Sequence, residues 1–137
     1  MTREKPTLEQ DLYPPVKALL ERQGYTVKGA VGAVDVMAKR GDDPLVIVEL
    51  KLRFSLSLFH QAVARLGVTD LVYIAVVRPT GRNARRALKD NLALCRRLGL
   101  GLITVRGDGR AEVHCDPGPY APRKYKRRAD RLLREFD

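Results

Sequence analysis

Apolar residues recur with helical spacing in some segments of the chain and with strand spacing in others. Leu12, Val16, Leu19 and Leu20 follow the spacing of one face of a helix. Residues 71–77 form an apolar run rich in β-branched residues, which fits a buried strand. The pattern predicts helices over residues 8–23, 55–66 and 82–98, and strands over residues 25–31, 33–40, 45–52, 71–77, 100–105 and 111–115. This alternation predicts an α/β layer architecture with a mixed sheet.

Capping and turn residues predict where these elements begin and end. Thr7 followed by Gln10 fits a capping box for the first helix, which should stop at Gly24. Pro14 and Pro15 inside that helix predict a kink, or a restart with Pro14 in the first turn. Turn residues between strands predict two hairpins, at residues 41–44 and 107–109.

Charged residues stand in two predicted strands that are otherwise apolar. Since side chains alternate between the faces of a strand, Glu49 and Lys51 share one face of the strand over 45–52, and its other face is apolar. Asp35 stands in the strand before it, although Asp is depleted from strands. If the hairpin is symmetric about Asp42, Asp35 and Glu49 lie directly opposite each other.

Two opposed carboxylates favour a cation between them. Like charges at directly opposite positions, about 5 Å apart, destabilise a sheet. Lys51 offers a single charge, whereas a hard divalent metal accepts several oxygen ligands. Mg²⁺ held by one or two carboxylates, with water and phosphate completing its shell, is common in phosphate chemistry. The alternative is an ordinary salt bridge of Lys51 with Asp35 or Glu49 on a half-exposed sheet face.

Length and composition indicate one globular domain. The chain has 137 residues, 45% of them hydrophobic and 31% charged. No apolar run approaches the roughly 20 residues of a membrane span, and no apolar stretch follows the first charges as in a secretory signal. Cys95 and Cys115 lack metal-type spacing, which predicts free thiols and a cytoplasmic protein. His60 and His114 are far apart, so zinc is not expected, and no glycine-rich nucleotide-binding motif is present.

The net charge of +10 lies almost wholly in the second half of the chain. Residues 1–77 carry 10 Lys and Arg against 9 Asp and Glu, whereas residues 78–137 carry 16 against 7. This asymmetry favours nucleic acid as partner, although a basic protein can also be merely soluble. Basic residues of the third helix and tail are candidates for backbone contacts, and Tyr120 and Tyr125 for base stacking, with a solvated tail as the alternative. The candidate nucleic-acid-binding residues are Arg82, Arg85, Arg86, Lys89, Arg123, Lys124, Lys126 and Arg127.

The order of Asp35, a hairpin and then Glu49-x-Lys51 resembles the signature of the PD-(D/E)XK nuclease superfamily. Most of residues 8–105 also resemble an uncharacterised bacterial domain family assigned to it, through 12–17, 24–25, Asp35, 48–51 and 61–62. The resemblance implies a restriction-endonuclease-like fold of α/β/α layers around a mixed sheet. The nuclease-like domain would span residues 1–117, and a basic tail residues 118–137. Two positions depart from the pattern: Val34 replaces the proline of the superfamily's name, and Arg65 stands where some branches have Tyr.

The resemblance also implies roles for matching residues. Asp35 and Glu49 would bind Mg²⁺ or Mn²⁺, and Lys51 would orient or help deprotonate the attacking water and offset charge at the scissile phosphate. Glu9 matches a further acidic ligand, although the helix dipole alone favours an acidic residue in a first turn. Gln61 matches a glutamine that contacts metal-bound water or nucleic acid, and it is otherwise a polar residue on a solvated helix face.

The sequence therefore predicts a metal-dependent nuclease, a hydrolase that cleaves nucleic acid with a metal-activated water, and DNA rather than RNA is the expected substrate. Its catalytic residues would be Asp35, Glu49, Lys51 and Gln61, and its metal ligands Glu9, Asp35 and Glu49. A homodimer is expected, because small domains of this kind often work as dimers. The alternative is a non-catalytic nucleic-acid-binding module that retains the nuclease fold. A protein-interaction domain with a basic surface is the third hypothesis.

Overall fold

The computed structural model describes residues 8–29, 35–120 and 125–136. A 3-10 turn (Glu9–Leu12) is followed in the described residues by ten helices and strands, in an order that matches the predicted alternation. The elements are α1 (Tyr13–Arg22), β1 (Thr26–Gly29), β2 (Asp35–Lys39), β3 (Val46–Leu50), α2 (Leu56–Arg65), β4 (Leu71–Val77), α3 (Ala84–Leu98), β5 (Gly101–Val105), β6 (Ala111–Cys115) and α4 (Lys126–Phe136).

The strands form one mixed sheet in the order β1-β2-β3-β4-β5-β6. The pairs β1/β2, β2/β3 and β5/β6 are antiparallel, whereas β3, β4 and β5 run parallel. The carboxyl ends of β3, β4 and β5 therefore meet at one edge of the sheet, and β2 begins there because it runs against β3. We call this the carboxyl edge. The two predicted hairpins are confirmed by these antiparallel pairs.

Helices cover both faces of the sheet and bury two separate apolar clusters. On one face, Val16 and Leu20 of α1 join a cluster that includes Val48 of β3. On the other face, Leu58 of α2 and Cys95 of α3 join a second cluster with the central strands β4 and β5. This arrangement confirms the predicted α/β architecture with α/β/α layers around a mixed sheet.

Of the two predictions for the first helix, a kink or a restart at the prolines, the structure confirms the restart. The 3-10 turn runs to Leu12, and the α-helix begins at Tyr13 with a proline in its first positions, where the missing N–H has no intrahelical partner. Thr7, the predicted N-cap, lies outside the described residues. Leu8 is the N-cap, and its backbone N–H donates to the Asp11 carboxylate at 3.0 Å. The described helical structure thus begins one residue after the position predicted.

The basic half of the chain contributes two helices with exposed cations. α3 packs through Leu88, Leu92, Cys95 and Leu98 and leaves its arginines outside. The tail segment Lys126–Phe136 is helical and exposed throughout its described side chains. Among the described residues no helix is long and apolar enough to cross a bilayer.

Candidate active site

The predicted opposition of two carboxylates on neighbouring strands is confirmed. Asp35 at the start of β2 pairs directly with Glu49, the penultimate residue of β3. Both therefore lie at the carboxyl edge of the sheet. Val36 and Val48, their neighbours on the opposite face, belong to the α1 cluster. That alternation directs the two carboxylates toward the face covered by α2.

The cation between these carboxylates is the guanidinium of Arg65. Its Nε lies 2.7 Å from Glu49 Oε1, and its Nη2 lies 2.5 Å from Asp35 Oδ2. A planar guanidinium offers donors in a fixed fork, so one side chain can pair with both acids at once. Arg65 was missing from the predicted site residues. We call Asp35, Glu49 and Arg65 the acid–arginine cluster.

The position of Arg65 follows from the buried stripe of α2. Leu58 and Ala62 are fully buried against the sheet. Arg65 lies seven residues after Leu58 and three after Ala62, and this spacing continues the same helix face. The signal that could have identified Arg65 was therefore present: a cation on the inner face of the helix that follows the strand carrying Glu49.

Glu49 is nearly inaccessible, with 3% of its surface exposed. Burial is the main reason that its pKa rises from 4.5 to about 7, and the neighbouring Asp35 raises it further. Arg65 acts in the opposite direction, because its charge favours the ionised carboxylate. The Glu49 carboxyl group therefore gains or loses its proton near neutral pH. A cation that binds Glu49 has to displace this proton.

Lys51 and Glu9 form a second ion pair rather than joining the acid–arginine cluster. β3 ends at Leu50, and the Lys51 ammonium reaches Glu9 Oε1 in the 3-10 turn at 3.3 Å. The Lys51 backbone N–H still donates to Ala75 O of β4, so its backbone is held at the sheet. The three predicted metal ligands are thus divided between two ion-paired groups. Among the described residues, no set of three or more His, Cys, Asp or Glu side chains could hold a metal ion.

The remaining predicted residues lie outside the acid–arginine cluster. Gln61 is exposed on α2, one helical turn before Arg65. Two predicted contact residues, Arg123 and Lys124, lie outside the described residues. The others are exposed around the start of α3 and on α4: Arg82, Arg85, Arg86, Lys89, Lys126 and Arg127.

The two tyrosines considered for base stacking each have an arginine of the same chain over the ring. Arg97 lies 4.4 Å from the ring centre of Tyr120, and Arg128 lies 4.6 Å from that of Tyr125. These rings are therefore partly covered. A stacking base would have to replace the guanidinium or use the other ring face.

Histidine and cysteine chemistry is absent from the cluster. His114 shares a hydrogen bond of 2.7 Å with Thr104 Oγ1 across β5 and β6, and burial lowers its pKa. His60 is exposed on α2. Cys95 is buried in the core, and burial raises its pKa to about 12, so its thiol is inert.

Asp35 and Glu49 offer two carboxylates to a cation. Mg²⁺ is commonly held by one or two carboxylates and completes its shell with water and phosphate oxygens. In this structure Arg65 engages one oxygen of each carboxylate. A cation that binds both acids must therefore compete with the guanidinium.

No protein-family model, curated protein or solved structure matches this chain.

Proposed function

We propose that this protein is a metal-dependent phosphodiesterase acting on nucleic acid, with DNA favoured over RNA and Asp35 and Glu49 as ligands of Mg²⁺ or Mn²⁺. The observation that supports the proposal most strongly is their direct opposition at the carboxyl edge of the sheet. Opposed acids destabilise a sheet, and a nearly buried Glu49 adds the cost of desolvation. A binding role explains why two acids stand here in place of apolar residues.

Each residue at this edge has a defined task in the proposed reaction. The bound metal would supply an activated water and stabilise charge on the phosphate. Lys51 follows Glu49 by two residues, and its ion pair with Glu9 holds the ammonium in place. The ammonium can therefore orient the attacking water and offset phosphate charge. Gln61, exposed on α2, would contact the substrate. The exposed cations at the start of α3 would hold the phosphate backbone.

Arg65 has two partners in this proposal at different stages. Without metal it pairs with both Asp35 and Glu49, which offsets part of their mutual repulsion. If Asp35 and Glu49 held a metal, the Arg65 guanidinium would be free to pair with a phosphate of the substrate. Its planar fork suits a phosphate as well as it suits a carboxylate.

The pairing by Arg65 also favours a second candidate function. One guanidinium already engages both acids, so the two carboxylates have a counter-charge without metal. This is what a non-catalytic nucleic-acid-binding module that retains the fold would need. Such a module would use the basic half of the chain and would have no turnover. Metal-dependent cleavage distinguishes the two candidates.

The decisive experiment is a cleavage assay on supercoiled plasmid, linear duplex, single strands and branched junctions, each with Mg²⁺, Mn²⁺ or EDTA. We expect cleavage that requires metal and disappears in Glu49→Ala. The matched control is Glu21→Ala, an exposed acid in the last turn of α1, which should cleave like the wild type. Binding to every substrate without cleavage would contradict the nuclease and support the non-catalytic module.

Two further proposals concern location and assembly. Cys95 and Cys115 are free thiols, which supports a reducing compartment such as the cytoplasm. We also propose a homodimer. Sedimentation of the purified protein at several concentrations tests it, and a monomer at all of them would contradict it.

A further inference from the structure

Three arginines follow the three parallel strands at the carboxyl edge. Arg78 comes directly after β4, Arg106 directly after β5, and Arg53 three residues after β3. Adjacent strands lie about 4.8 Å apart, so these side chains leave the sheet from neighbouring positions. Binding sites of sheets with parallel strands commonly lie at this edge.

Two cavities adjoin these arginines and share the segment around Arg78. The larger, of about 650 Å³, is lined by Arg53, Phe54, Arg78 and Asn91 among others. The smaller, of about 380 Å³, lies against Arg78, Thr80 and Arg106. Both volumes fall in the range of about 300–1,000 Å³ that is typical of ligand sites.

The charge of this region is not balanced by the ion pairs that the structure shows. Glu112 Oε2 is 3.1 Å from Arg78 Nη1 and 3.6 Å from Arg106 Nη2, so one acid serves two arginines. Arg53 is exposed, and no ion pair joins it to an acid of the described segments. The three arginines and Glu112 together leave an excess of two positive charges for an anionic ligand.

The walls of the larger cavity combine polar groups with flat apolar surface. Leu52, Phe54 and Pro79 supply apolar wall, and Thr80 supplies a hydroxyl. The side-chain N–H of Asn91 donates a hydrogen bond to Ala87 O at 2.8 Å. The side-chain carbonyl oxygen of Asn91 takes no part in that bond. A ligand with a flat ring, hydrogen-bonding edges and a phosphate complements such a cavity.

We propose that the two cavities receive successive nucleotides of a single nucleic-acid strand, which crosses the carboxyl edge over Arg78. Phosphates would pair with Arg53, Arg78 and Arg106, and unpaired bases would enter the cavities. A duplex does not fit this role, because its bases are already stacked and paired and cannot enter a cavity. Stacking and backbone pairing together are how proteins hold single strands without sequence preference.

The same path leads the strand toward Lys51, two residues after Glu49. Leu52 and Arg53, which line the larger cavity, follow Lys51 directly in the chain. A strand bound there would place a phosphate near Lys51. That consequence rests on the proposed nuclease function, whereas binding of the single strand does not.

The test measures binding in excess EDTA, where cleavage cannot interfere. Fluorescence anisotropy compares a labelled oligothymidylate, a duplex of equal length, and an abasic strand with the same number of phosphates. We expect the oligothymidylate to bind most tightly. Arg53→Gln should weaken its binding about tenfold, because a charge-assisted hydrogen bond to phosphate is lost. It should also reduce the slope of log K against log salt by about 0.7.

Arg22→Gln is the matched control, because it removes the same charge from the end of α1, outside both cavities. It should bind the oligothymidylate like the wild type. Equal affinity for duplex or abasic strand, or wild-type affinity in Arg53→Gln, would overturn the inference. Preferential binding of the oligothymidylate that depends on Arg53 supports the inference even if no substrate is cleaved. Such binding without cleavage would refute only the proposed nuclease function. Cleavage together with binding indifferent to Arg53 would refute this site alone.

Discussion

Replacement of Arg65 by glutamine removes the cation shared by two opposed acids and leaves a side chain of similar length. The Glu49 side chain is 4% exposed and that of Asp35 13%, so water screens neither well. In Arg65→Gln the two carboxylates face each other without counter-charge. We therefore expect this variant to be strongly destabilised at a pH well above 7, where Glu49 is ionised.

The size of the loss follows from burial. Breaking a buried ion pair by removing one partner costs about 3–5 kcal/mol, because a charge is left buried and unpaired. The Arg65 side chain is itself 44% exposed, so solvent weakens its interaction with both acids. We expect a loss of about 2–3 kcal/mol in the free energy of unfolding. That is a large share of the roughly 5–15 kcal/mol that stabilises a typical domain.

The loss should shrink as the pH falls from well above 7 toward 4.5, because protonated Glu49 can donate to Asp35 and no longer repels it. Only the interaction with Asp35 is then missing, worth about 1–2 kcal/mol. Urea unfolding at both ends of this pH range measures the difference. Added Mg²⁺ should stabilise Arg65→Gln more than the wild type, because the acids no longer have a competing guanidinium.

The control for this prediction is Arg86→Gln, an arginine of α3 whose side chain is 85% exposed and lies 3.8 Å from Asp90. Exposed pairs of this kind contribute little, so its stability should stay close to wild type at every pH. Equal losses in the two variants would refute the reasoning. A loss in Arg65→Gln that grows toward low pH would refute it as well, since the cost would then not come from opposed charges.

Two further outcomes test the electrostatics and the packing of the sheet. The folded protein holds the Glu49 proton more tightly than the unfolded chain, so this group's contribution to stability is present below pH 4.5 and is lost as the pH rises through about 7. Glu49→Gln should therefore flatten the pH dependence of urea unfolding in that window by up to about 3 kcal/mol, and an unchanged slope would contradict the raised pKa. Gly101→Ala should lose about 1–3 kcal/mol in thermal or urea unfolding, because its Cβ would lie 2.6 Å from Tyr73 Cε1 and 2.9 Å from Pro117 Cδ. Gly118→Ala, whose Cβ meets no atom within 4 Å, is the control, and equal stability of the two alanine variants would contradict the clash.

Local rules were enough to predict the elements and one half of the candidate site. Strand alternation and a short hairpin determine which residues oppose each other, so the pairing of Asp35 with Glu49 could be predicted from their equal distance to Asp42. β4 and β6 begin and end at the predicted residues. These features depend on neighbours in sequence, where spacing alone defines geometry.

The partners of the charged residues could not be predicted in the same way. Lys51 was expected to share a strand face with Glu49, yet the strand ends before it and its ammonium pairs with Glu9 of the first turn. Arg65 pairs with acids sixteen and thirty residues away. Both contacts depend on where a helix is seated on the sheet.

The sequence by itself determined the alternation of helices and strands, the buried faces, and the opposition of Asp35 and Glu49. Only the tertiary structure decided that Arg65 lies between those acids and that Arg53, Arg78 and Arg106 line one edge. The physical reason is that apolar burial, which seats each helix, is non-directional and shared by many residues. Its effect on the position of one charged side chain cannot be obtained from spacing along the chain.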